Sequence, residues 1–395
     1  MLHIALIDDC FPINTRNRKI LGSLAEHYGK NAELSVITWD RNNDYTEELP
    51  GYHVYQKDSE YGNKTRKLLN LWGYRKFCHA TIKALHPDVV IASHWNNLMM
   101  VPRLNRRKQM LIYENLDVPT EAYILRKTTT AIEHWHMRRV DLTVHASRFF
   151  TKLYSPKRPQ LILENKPAYP TPTPQEYHVH TPIRIAFIGL LRYRDILKIL
   201  IDAVRDDERF QLFFHGEGHA RKYLEACAEG ASNIFFTGRY DYEDVSRFYQ
   251  QTDVVWAAYP NKDFNVKYAI SNKFHESLTF GIPTVYADNT YLGDFVVENH
   301  IGLVADPYSM DSIKALLEEI VTHQDDLRQM AADMRSFSNR QTTWQEDFKN
   351  VTAIIDQFFE KSSSKNNLVF LKRQPEEQRT TFRPKLFFNH YKAKG

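Results

Sequence analysis

The segment best suited to chemistry is residues 270–283, which read ISNKFHESLTFGIP. The pattern predicts a short helix that begins at Ser271 or Asn272 and ends at the glycine, followed by a strand. Free backbone N–H groups at the helix start, with the ammonium of Lys273, suit a diphosphate. Glu276 lies one turn further along, where its carboxylate could accept hydrogen bonds from two sugar hydroxyls. This spacing indicates a nucleotide-sugar site, and an ordinary capped surface helix is the alternative.

Length and composition indicate a two-domain protein of ordinary soluble type. The chain has 395 residues, with 43% hydrophobic and 25% charged residues, which is more than one hydrophobic core usually serves. No apolar run approaches the roughly 20 residues of a membrane span. A strand is expected at residues 4–7, which leaves no room for a signal peptide. Three widely separated cysteines match no disulfide or zinc pattern. We therefore expect a cytoplasmic protein.

The basic charge is concentrated at the carboxyl terminus. The formal net charge is +4, yet residues 365–395 carry eight Lys and Arg residues against two Glu, so residues 1–364 are slightly acidic. Phenylalanines and a tyrosine are interleaved with these cations. Such a segment is typical of contact with an anionic membrane surface. A partly disordered tail, or one packed onto the body, is the main alternative, and no nucleic-acid partner is expected.

Apolar β-branched runs alternate with helical segments, which predicts parallel sheets covered on both faces. The predicted strands are 2–8, 34–39, 52–55, 88–92, 110–113, 141–145, 183–188, 211–215, 233–236, 253–257, 283–286 and 302–304. The predicted helices are 17–28, 65–85, 120–139, 147–153, 195–206, 219–228, 241–250, 271–280, 292–298, 309–321 and 341–360. The fold class is therefore α/β, with two Rossmann-like, doubly wound domains that face one cleft.

A proline-rich stretch interrupts this alternation and sets the predicted domain boundaries. We expect an amino-terminal, acceptor-side domain at 1–168, a linker at 169–181 and a carboxyl-terminal domain at 182–340. Residues 341–360 form an amphipathic final helix, and residues 361–395 form the basic aromatic tail.

Several short segments occur in an order that resembles a known family. They are Asn165-Lys166-Pro167, Ile185-Ala186-Phe187-Ile188-Gly189, His215-Gly216-Glu217-Gly218, Ile234-Phe235-Phe236-Thr237-Gly238, Thr252-Asp253-Val254-Val255, and the helix at 272–276 with Gly281-Ile282-Pro283. This succession resembles the GT-B glycosyltransferases, in particular the retaining family 4 (group 1) enzymes of polysaccharide and glycoconjugate biosynthesis. The resemblance covers about residues 1–360. It implies a carboxyl-terminal domain that binds a nucleotide-diphospho-sugar, an amino-terminal domain that binds the acceptor, and a last helix that returns to the first domain.

The resemblance assigns Glu276 to the donor ribose, as the second acid of the paired-acid motif of the family. The first acid falls at Tyr268, which has no carboxylate. The Arg and Lys that usually bind the diphosphate fall at Leu190 and Asp195. We therefore expect other cations of this chain to bind the diphosphate.

Arg192 and Arg194 lie in the same loop and can make bidentate phosphate contacts in place of the missing cations. A solvated surface charge is the alternative for each arginine.

The remaining donor-side candidates follow strands of the second domain. Glycines at the ends of two strands would let the backbone approach a ligand, although an ordinary turn explains them equally well. The residues after Gly238 occupy the place where the family reads the base, and a polar loop at 261–267 faces the expected sugar pocket. These candidates are Gly189, Gly216, Arg239, Tyr240 and Lys267.

The candidate catalytic residues lie in the amino-terminal half. His94 follows the strand at 88–92 and could contact the acceptor or the donor sugar. Glu114 and Asp117 follow the strand at 110–113 and are candidate bases for the acceptor hydroxyl. Asp117 could instead cap the helix near residue 120.

Other basic positions in this half have open roles. His145 and Arg148 follow the next strand and could reach the donor phosphates, although His145 fits a core histidine better. Relatives often have two glycines in the first loop, where this chain has Pro12-Ile13-Asn14-Thr15-Arg16-Asn17.

Residues 64–77 are basic and amphipathic, with Trp72 available for a membrane interface. The same apolar residues could equally form the core face of a helix.

Together these features predict transfer of a sugar from a nucleotide-sugar to a glycan or lipid-linked glycan, with retention of configuration. No metal or other cofactor is expected, because cations and a helix start would stabilise the leaving diphosphate. No Asp-x-Asp ends a strand, and no phosphate loop with a following Lys-Ser/Thr is present. Peripheral attachment to the inner face of the membrane is compatible with this activity. The alternatives are a non-catalytic GT-B partner of another glycosyltransferase and a sugar-nucleotide epimerase.

Overall fold

The computed structural model describes residues 1–42, 44–57, 64–120, 123–155, 157–167, 177–241 and 244–371. Most of the predicted linker and the tail beyond residue 371 lie outside these residues. Within them, the chain forms two α/β domains, each with an all-parallel sheet. The predicted fold class is confirmed.

The amino-terminal sheet has seven strands among the described residues. They are β1 (Leu2–Asp8), β2 (Ala32–Asp40), β3 (Tyr52–Gln56), β4 (Val89–Ser93), β5 (Met110–Asn115), β6 (Leu142–His145) and β7 (Gln160–Ile162). Their order is β3-β2-β1-β4-β5-β6-β7. The helices are α1 (Thr15–Tyr28), α2 (Lys64–Leu85), α3 (Trp95–Leu98) and α4 (Tyr123–Met137), with 3₁₀ turns at Gly29–Asn31 and Arg148–Leu153.

The carboxyl-terminal sheet has six strands in the described part of the chain. They are β8 (Ile183–Ile188), β9 (Phe210–His215), β10 (Ile234–Gly238), β11 (Val254–Ala257), β12 (Thr284–Ala287) and β13 (Leu303–Ala305), in the order β10-β9-β8-β11-β12-β13. The helices are α5 (Arg194–Val204), α6 (Arg221–Cys227), α7 (Val245–Gln250), α8 (Phe264–Tyr268), α9 (Asn272–Phe280), α10 (Tyr291–Glu298), α11 (Met310–Thr322), α12 (Gln324–Asn339) and α13 (Trp344–Leu371).

The structure differs from the sequence prediction at several elements, among them the short helix α3, which was not expected. The edge strand β7 has three residues, too few for a recognisable period. Helix α12 was not expected, and the predicted polar loop at 261–267 contains the short helix α8. Helix α13 begins later and ends later than the predicted 341–360.

Each face of the amino-terminal sheet has its own apolar core. On one face, α13 contributes Trp344, Phe348, Val351 and Ile355 to a cluster that includes Ile20 of α1. On the other face, α2 and the end of α4 pack beside Trp39. The last helix therefore lies on the amino-terminal domain, although the chain reaches it from the carboxyl-terminal domain. None of the described helices is long and apolar enough to span a membrane.

Candidate active site

A cavity of about 1170 Å³ lies between the two domains, at the carboxyl ends of both sheets. In each sheet the strand order reverses next to the first strand, at β1/β4 and at β8/β11. Loops that leave adjacent strands in opposite directions open a crevice at this position, which is where open α/β sheets bind ligands. The loops after these strands line the cavity.

The start of α9 is the most polar wall of the cavity. Ser271 occupies the N-cap position, and Ser271, Asn272, Lys273 and Glu276 all line the cavity. The Nζ of Lys273 lies 2.5 Å from Oε2 of Glu276, one helical turn away. The Tyr249 hydroxyl donates to the same oxygen over 2.9 Å.

These contacts leave other polar atoms of α9 available. The Oε1 of Glu276 has no hydrogen-bond partner among the described residues. The hydroxyl oxygen of Ser271 is buried and has none in the same part of the chain. The helix start therefore presents an ammonium, a carboxylate oxygen, a hydroxyl and free N–H groups to one ligand.

Two glycines shape the floor beside α9. Gly189 lines the cavity, with φ of 142°, and a Cβ there would lie 3.7 Å from Cε of Lys273. Gly216, also at φ 142°, lies behind it, and a Cβ at Gly216 would come within 1.9 Å of the Gly189 carbonyl oxygen. Gly216 thus supports the loop that carries Gly189 instead of facing the cavity itself.

The two candidate arginines of the loop after β8 have different surroundings. Arg192 lines the cavity, with its guanidinium carbon 4.7 Å from the centre of the Tyr193 ring. Arg194 begins α5, pairs with Asp195 at 3.3 Å and lies over Tyr223, outside the cavity lining. Only Arg192 can contact a ligand in the cleft from this position.

Of the candidate residues for recognition of the base and the sugar, only one lines the cavity. Tyr240 lines the cavity and meets Phe248 edge-on at 5.1 Å. Arg239 and Lys267 are exposed and do not line it. Lys267 falls in the last turn of α8, which the loop prediction did not anticipate.

Tyr268, at the place of the missing first acid, does not reach the cavity. Its ring packs against Phe264 at 5.2 Å and Tyr291 at 4.9 Å. Its carbonyl oxygen accepts a hydrogen bond from the hydroxyl of Ser147 over 2.6 Å, between the two domains. This tyrosine holds the loop in place and supplies no group to a ligand.

The amino-terminal wall contains a cation that the sequence analysis did not select. Arg16, in the first turn of α1, is 3% exposed and lines the cavity. Its Nε donates to Oε1 of Glu114 over 2.6 Å. Its Nη1 and Nη2 are buried and have no partner among the described residues. A buried guanidinium with four unused N–H groups points to an anionic ligand. The replacement of the first-loop glycines was the only signal for this residue in the sequence.

Glu114 lies behind Arg16 and does not line the cavity. Burial raises the pKa of Glu114, and the charge of Arg16 opposes this shift. The structure therefore places Glu114 as the counter-charge of Arg16, away from the position of a base for an acceptor hydroxyl.

Asp117 and His94 both face the cleft. The Asp117 carboxylate lies 3.9 Å from Nδ1 of His94 and accepts a hydrogen bond from Nδ2 of Asn265 over 2.6 Å. The backbone N–H of Val118 donates to Oδ1 of the same asparagine over 3.0 Å. The Asp117 side chain is half exposed; desolvation by the surrounding cleft walls raises its pKa, and His94 and Asn265 oppose this shift. The described helix α4 begins only at Tyr123, and Asp117 bonds across the cleft.

The basic residues at the end of β6 and just after it bond to other protein groups and do not face the cleft. His145 is fully buried, with Nδ1 3.0 Å from Nδ2 of Asn115 and Nε2 3.0 Å from Oε1 of Gln160. Arg148 makes a bidentate pair with Glu164, with both N···O distances at 2.7 Å. Neither residue lines the cavity. No cluster of three or more metal-ligating side chains occurs in the described ranges.

Residues 173–337, a range that includes the six strands β8–β13, match the family model described as glycosyl transferases group 1. No curated protein was found to match the chain. Among solved structures, sucrose-phosphate synthase from Thermosynechococcus elongatus is similar with a TM-score of 0.70 and 13% identity, over 91% of this chain and 100% of that one. WaaG, a glycosyltransferase involved in lipopolysaccharide biosynthesis, has a TM-score of 0.61 and 17% identity, over 88% and 98%.

Anabaena Alr3699/HepE, solved in complex with UDP and glucose, has a TM-score of 0.62 and 12% identity, over 90% of this chain and 100% of that one. At these identities the structures establish a shared fold. Together with the family model, they confirm the resemblance to GT-B glycosyltransferases that the sequence motifs indicated.

Proposed function

Because the chain has the GT-B fold and its carboxyl-terminal domain matches the group 1 glycosyltransferases, we propose that it transfers a sugar from a nucleotide-diphospho-sugar to a glycan or lipid-linked glycan. The transfer retains the anomeric configuration and needs no metal. The observation that carries this proposal is the arrangement of Lys273, Arg192 and Arg16 around the start of α9.

The leaving diphosphate gains negative charge as the glycosidic bond breaks. Lys273 and Arg192 approach it from the carboxyl-terminal domain and Arg16 from the amino-terminal domain, and all three line one cavity. Fixed cations and helix N–H groups stabilise such charge without reorganisation. The three cations replace the Arg and Lys that the family usually carries at the positions of Leu190 and Asp195.

Glu276 binds the donor ribose in this proposal. Its Oε2 is held by Lys273 and Tyr249, which leaves Oε1 for the ribose hydroxyls. Tyr240 lies at the place where the base would stack. HepE binds UDP, so UDP-sugars are the first donors to test here.

Asp117 and His94 form the acceptor side. A carboxylate with a raised pKa at the cleft wall can accept the proton of a sugar hydroxyl, and His94 beside it can orient that hydroxyl. WaaG acts in lipopolysaccharide biosynthesis, which supports a lipid-linked glycan as the acceptor class. We place the protein in the cytoplasm, peripherally at the inner face of the membrane. In the basic segment that begins α2, Trp72 is exposed, with Nζ of Lys76 3.4 Å from its ring centre.

A non-catalytic GT-B partner is the second candidate, because Tyr268 takes the place of an acid and packs into a core instead. Thermal unfolding against UDP-, GDP-, dTDP- and CMP-sugars distinguishes the two. A ligand at millimolar concentration over a micromolar site stabilises the native state by about 4 kcal/mol. CMP-sugars carry one phosphate and serve as the control for the diphosphate site.

We expect one diphosphate donor to raise the melting temperature of the wild type and not that of Glu276→Ala. Activity that survives EDTA supports the metal-free mechanism. Release of an altered sugar nucleotide from donor alone would identify an epimerase. Absence of any donor shift would favour the non-catalytic partner.

A further inference from the structure

Helix α4 carries an apolar stripe on its outer surface. Ile124 is 81% exposed, Leu125 55%, Ile132 40% and Trp135 61%. At roughly 100° per residue, these four positions fall within an arc of about 100°. From Ile124 to Trp135 the stripe is about 16 Å long, at roughly 1.5 Å per residue. Four exposed apolar side chains on one helix face differ from a lone exposed apolar residue.

The core side of α4 shows that this stripe cannot turn inward. Glu133 is 1% exposed and lies on the opposite face of the helix from Ile124 and Trp135. Its Oε1 accepts hydrogen bonds from the hydroxyls of Tyr113 and Tyr154, each over 2.7 Å. Rotation of the helix would break both bonds and expose a group whose raised pKa reflects its burial. The stripe is therefore a permanent feature of the surface.

A basic cavity of about 620 Å³ lies at the carboxyl end of the stripe. Trp135 is part of its wall, together with arginines from the segments that precede β5 and β6. Because it lies at the amino ends of these strands, it is at the opposite edge of the sheet from the cleft. Trp135 thus belongs both to the apolar stripe and to this arginine pocket.

The arginines of the pocket divide into structural and available ones. Arg139 donates to the carbonyl oxygens of Leu98, Val101 and Pro102, and Arg106 pairs with Asp141 at 3.2 Å. Arg103 and Arg138 line the cavity, are exposed, and have no ion-pair partner among the described residues. These two side chains can bind an external anion.

Charge complementarity decides the kind of partner. Residues 102–109 and 123–139 contain eight Lys and Arg residues and one acid, the buried Glu133. An apolar stripe with Trp at one end and a border rich in cations matches the interface of an anionic bilayer. We propose that the stripe of α4 and the arginine pocket form a docking surface for an anionic lipid bilayer, in which Ile124, Leu125, Ile132 and Trp135 enter the interface and Arg103 and Arg138 bind lipid phosphates.

This surface differs from the segment 64–77 and the tail, for which the sequence left a membrane role open. Helix α4 follows the cleft residue Asp117 along the chain, and docking along it is compatible with presentation of a lipid-linked acceptor to the cleft. Presentation of a lipid-linked acceptor in this way rests on the proposed function, whereas docking itself does not.

Vesicle flotation of the full chain tests the proposal. We expect the wild type to float with vesicles of phosphatidylcholine and phosphatidylglycerol and to remain unbound with phosphatidylcholine vesicles. Arg103→Gln with Arg138→Gln should lower partitioning about thirtyfold, since each basic residue near such a surface contributes roughly 1 kcal/mol. Ile124→Ser with Trp135→Ser should lower it at least about tenfold. Val297→Ser, at an exposed position of the other domain, is the matched control and should bind like the wild type.

Two further measurements keep the outcomes distinct. All variants should unfold at the wild-type temperature and keep the stabilisation by a nucleotide-sugar, so loss of docking is separable from failure of the proposed donor site. If both double variants float like the wild type, the proposal is overturned. It is also overturned if Trp72→Ser or charge reversal of the tail abolishes flotation while the α4 variants still bind vesicles. A change in oligomeric state of the α4 variants, with vesicle binding intact, would identify a protein interface and also overturn it.

Discussion

The guanidinium of Arg16 is bound to the carboxylate of Glu114 across 2.6 Å, and both side chains are almost completely buried. The pair joins the start of α1 to the end of β5, between residues 98 positions apart in the chain. One edge of the guanidinium is used by this bond. Nη1 and Nη2 at the other edge are buried and unpartnered in the described structure, and Arg16 lines the cleft. Glu114 thereby orients a cation toward the donor site.

Replacement of Arg16, alone and together with Glu114, separates its effect on protein stability from its effect on donor binding. Arg16→Gln leaves a buried carboxylate without its counter-charge and should destabilise the protein by about 3–5 kcal/mol. In Arg16→Gln with Glu114→Gln no charge is stranded, so most of the stability should return. The double variant should still bind the donor at least about tenfold more weakly, because the charged phosphate contact is missing. Thermal unfolding and donor titration measure the two effects, and wild-type affinity of the double variant would contradict the role of Arg16.

The neighbouring Arg192 and Arg194 provide a matched pair. Arg192→Gln removes a cation that lines the cavity and should weaken donor binding at least about tenfold. Arg194→Gln removes an exposed cation paired with Asp195, which contributes little. Calorimetric titration with the same donor compares them. Equal effects of the two substitutions would show that the loop after β8 binds the donor in another way.

Asn265 bridges the cleft through Asp117 and the backbone of Val118. Asn265→Ala removes both bonds, while the bond of Ser147 to the Tyr268 carbonyl still joins the domains. The hydrogen bond from Asn265 lowers the pKa of Asp117, so its loss should raise this pKa further. The acid limb of the pH–rate profile should then move to higher pH.

Asn261→Ala is the control for this bridge, because Asn261 bonds Asp288 within its own domain over 2.7 Å. It should leave the pH profile unchanged. An unshifted profile in Asn265→Ala would count against Asp117 as the group that titrates in the reaction.

His145 makes the stability depend on pH. Burial lowers the pKa of His145 from 6.5 to about 4. The unfolded chain therefore takes up a proton below pH 6.5 that the folded protein excludes until about pH 4. Its contribution is complete above pH 6.5 and decreases as the pH falls toward 4. Between neutral pH and about pH 5 the loss should be about 2 kcal/mol.

Chemical denaturation at several pH values tests this prediction. His145→Gln should lose less stability on acidification than the wild type, because glutamine does not titrate. The exposed His219 provides the control, and His219→Gln should show the wild-type pH dependence. Parallel curves for His145→Gln and the wild type would contradict the prediction.

The elements of the fold could be predicted because their signals are local. Alternation of apolar runs, the proline-rich break and the helix of residues 272–280 each depend on neighbours along the chain. The pair of Lys273 and Glu276 is of the same kind, since a spacing of three residues places both on one helix face. The short strand β7 and helix α8 were missed because a few residues carry no period.

By itself, the sequence determined the two-sheet fold, the helix start that suits a diphosphate, and the family resemblance. Tertiary structure decided which cations face the cleft: Arg192 and not Arg194, Lys273 and not Lys267, and the unexpected Arg16. It also assigned Glu114 to a buried ion pair, and it left the stripe of α4 exposed, whereas apolar side chains of α2 enter the core. The physical reason is the same in each case. Backbone propensity and periodicity act between near neighbours, while burial and charge pairing depend on groups that only folding brings together.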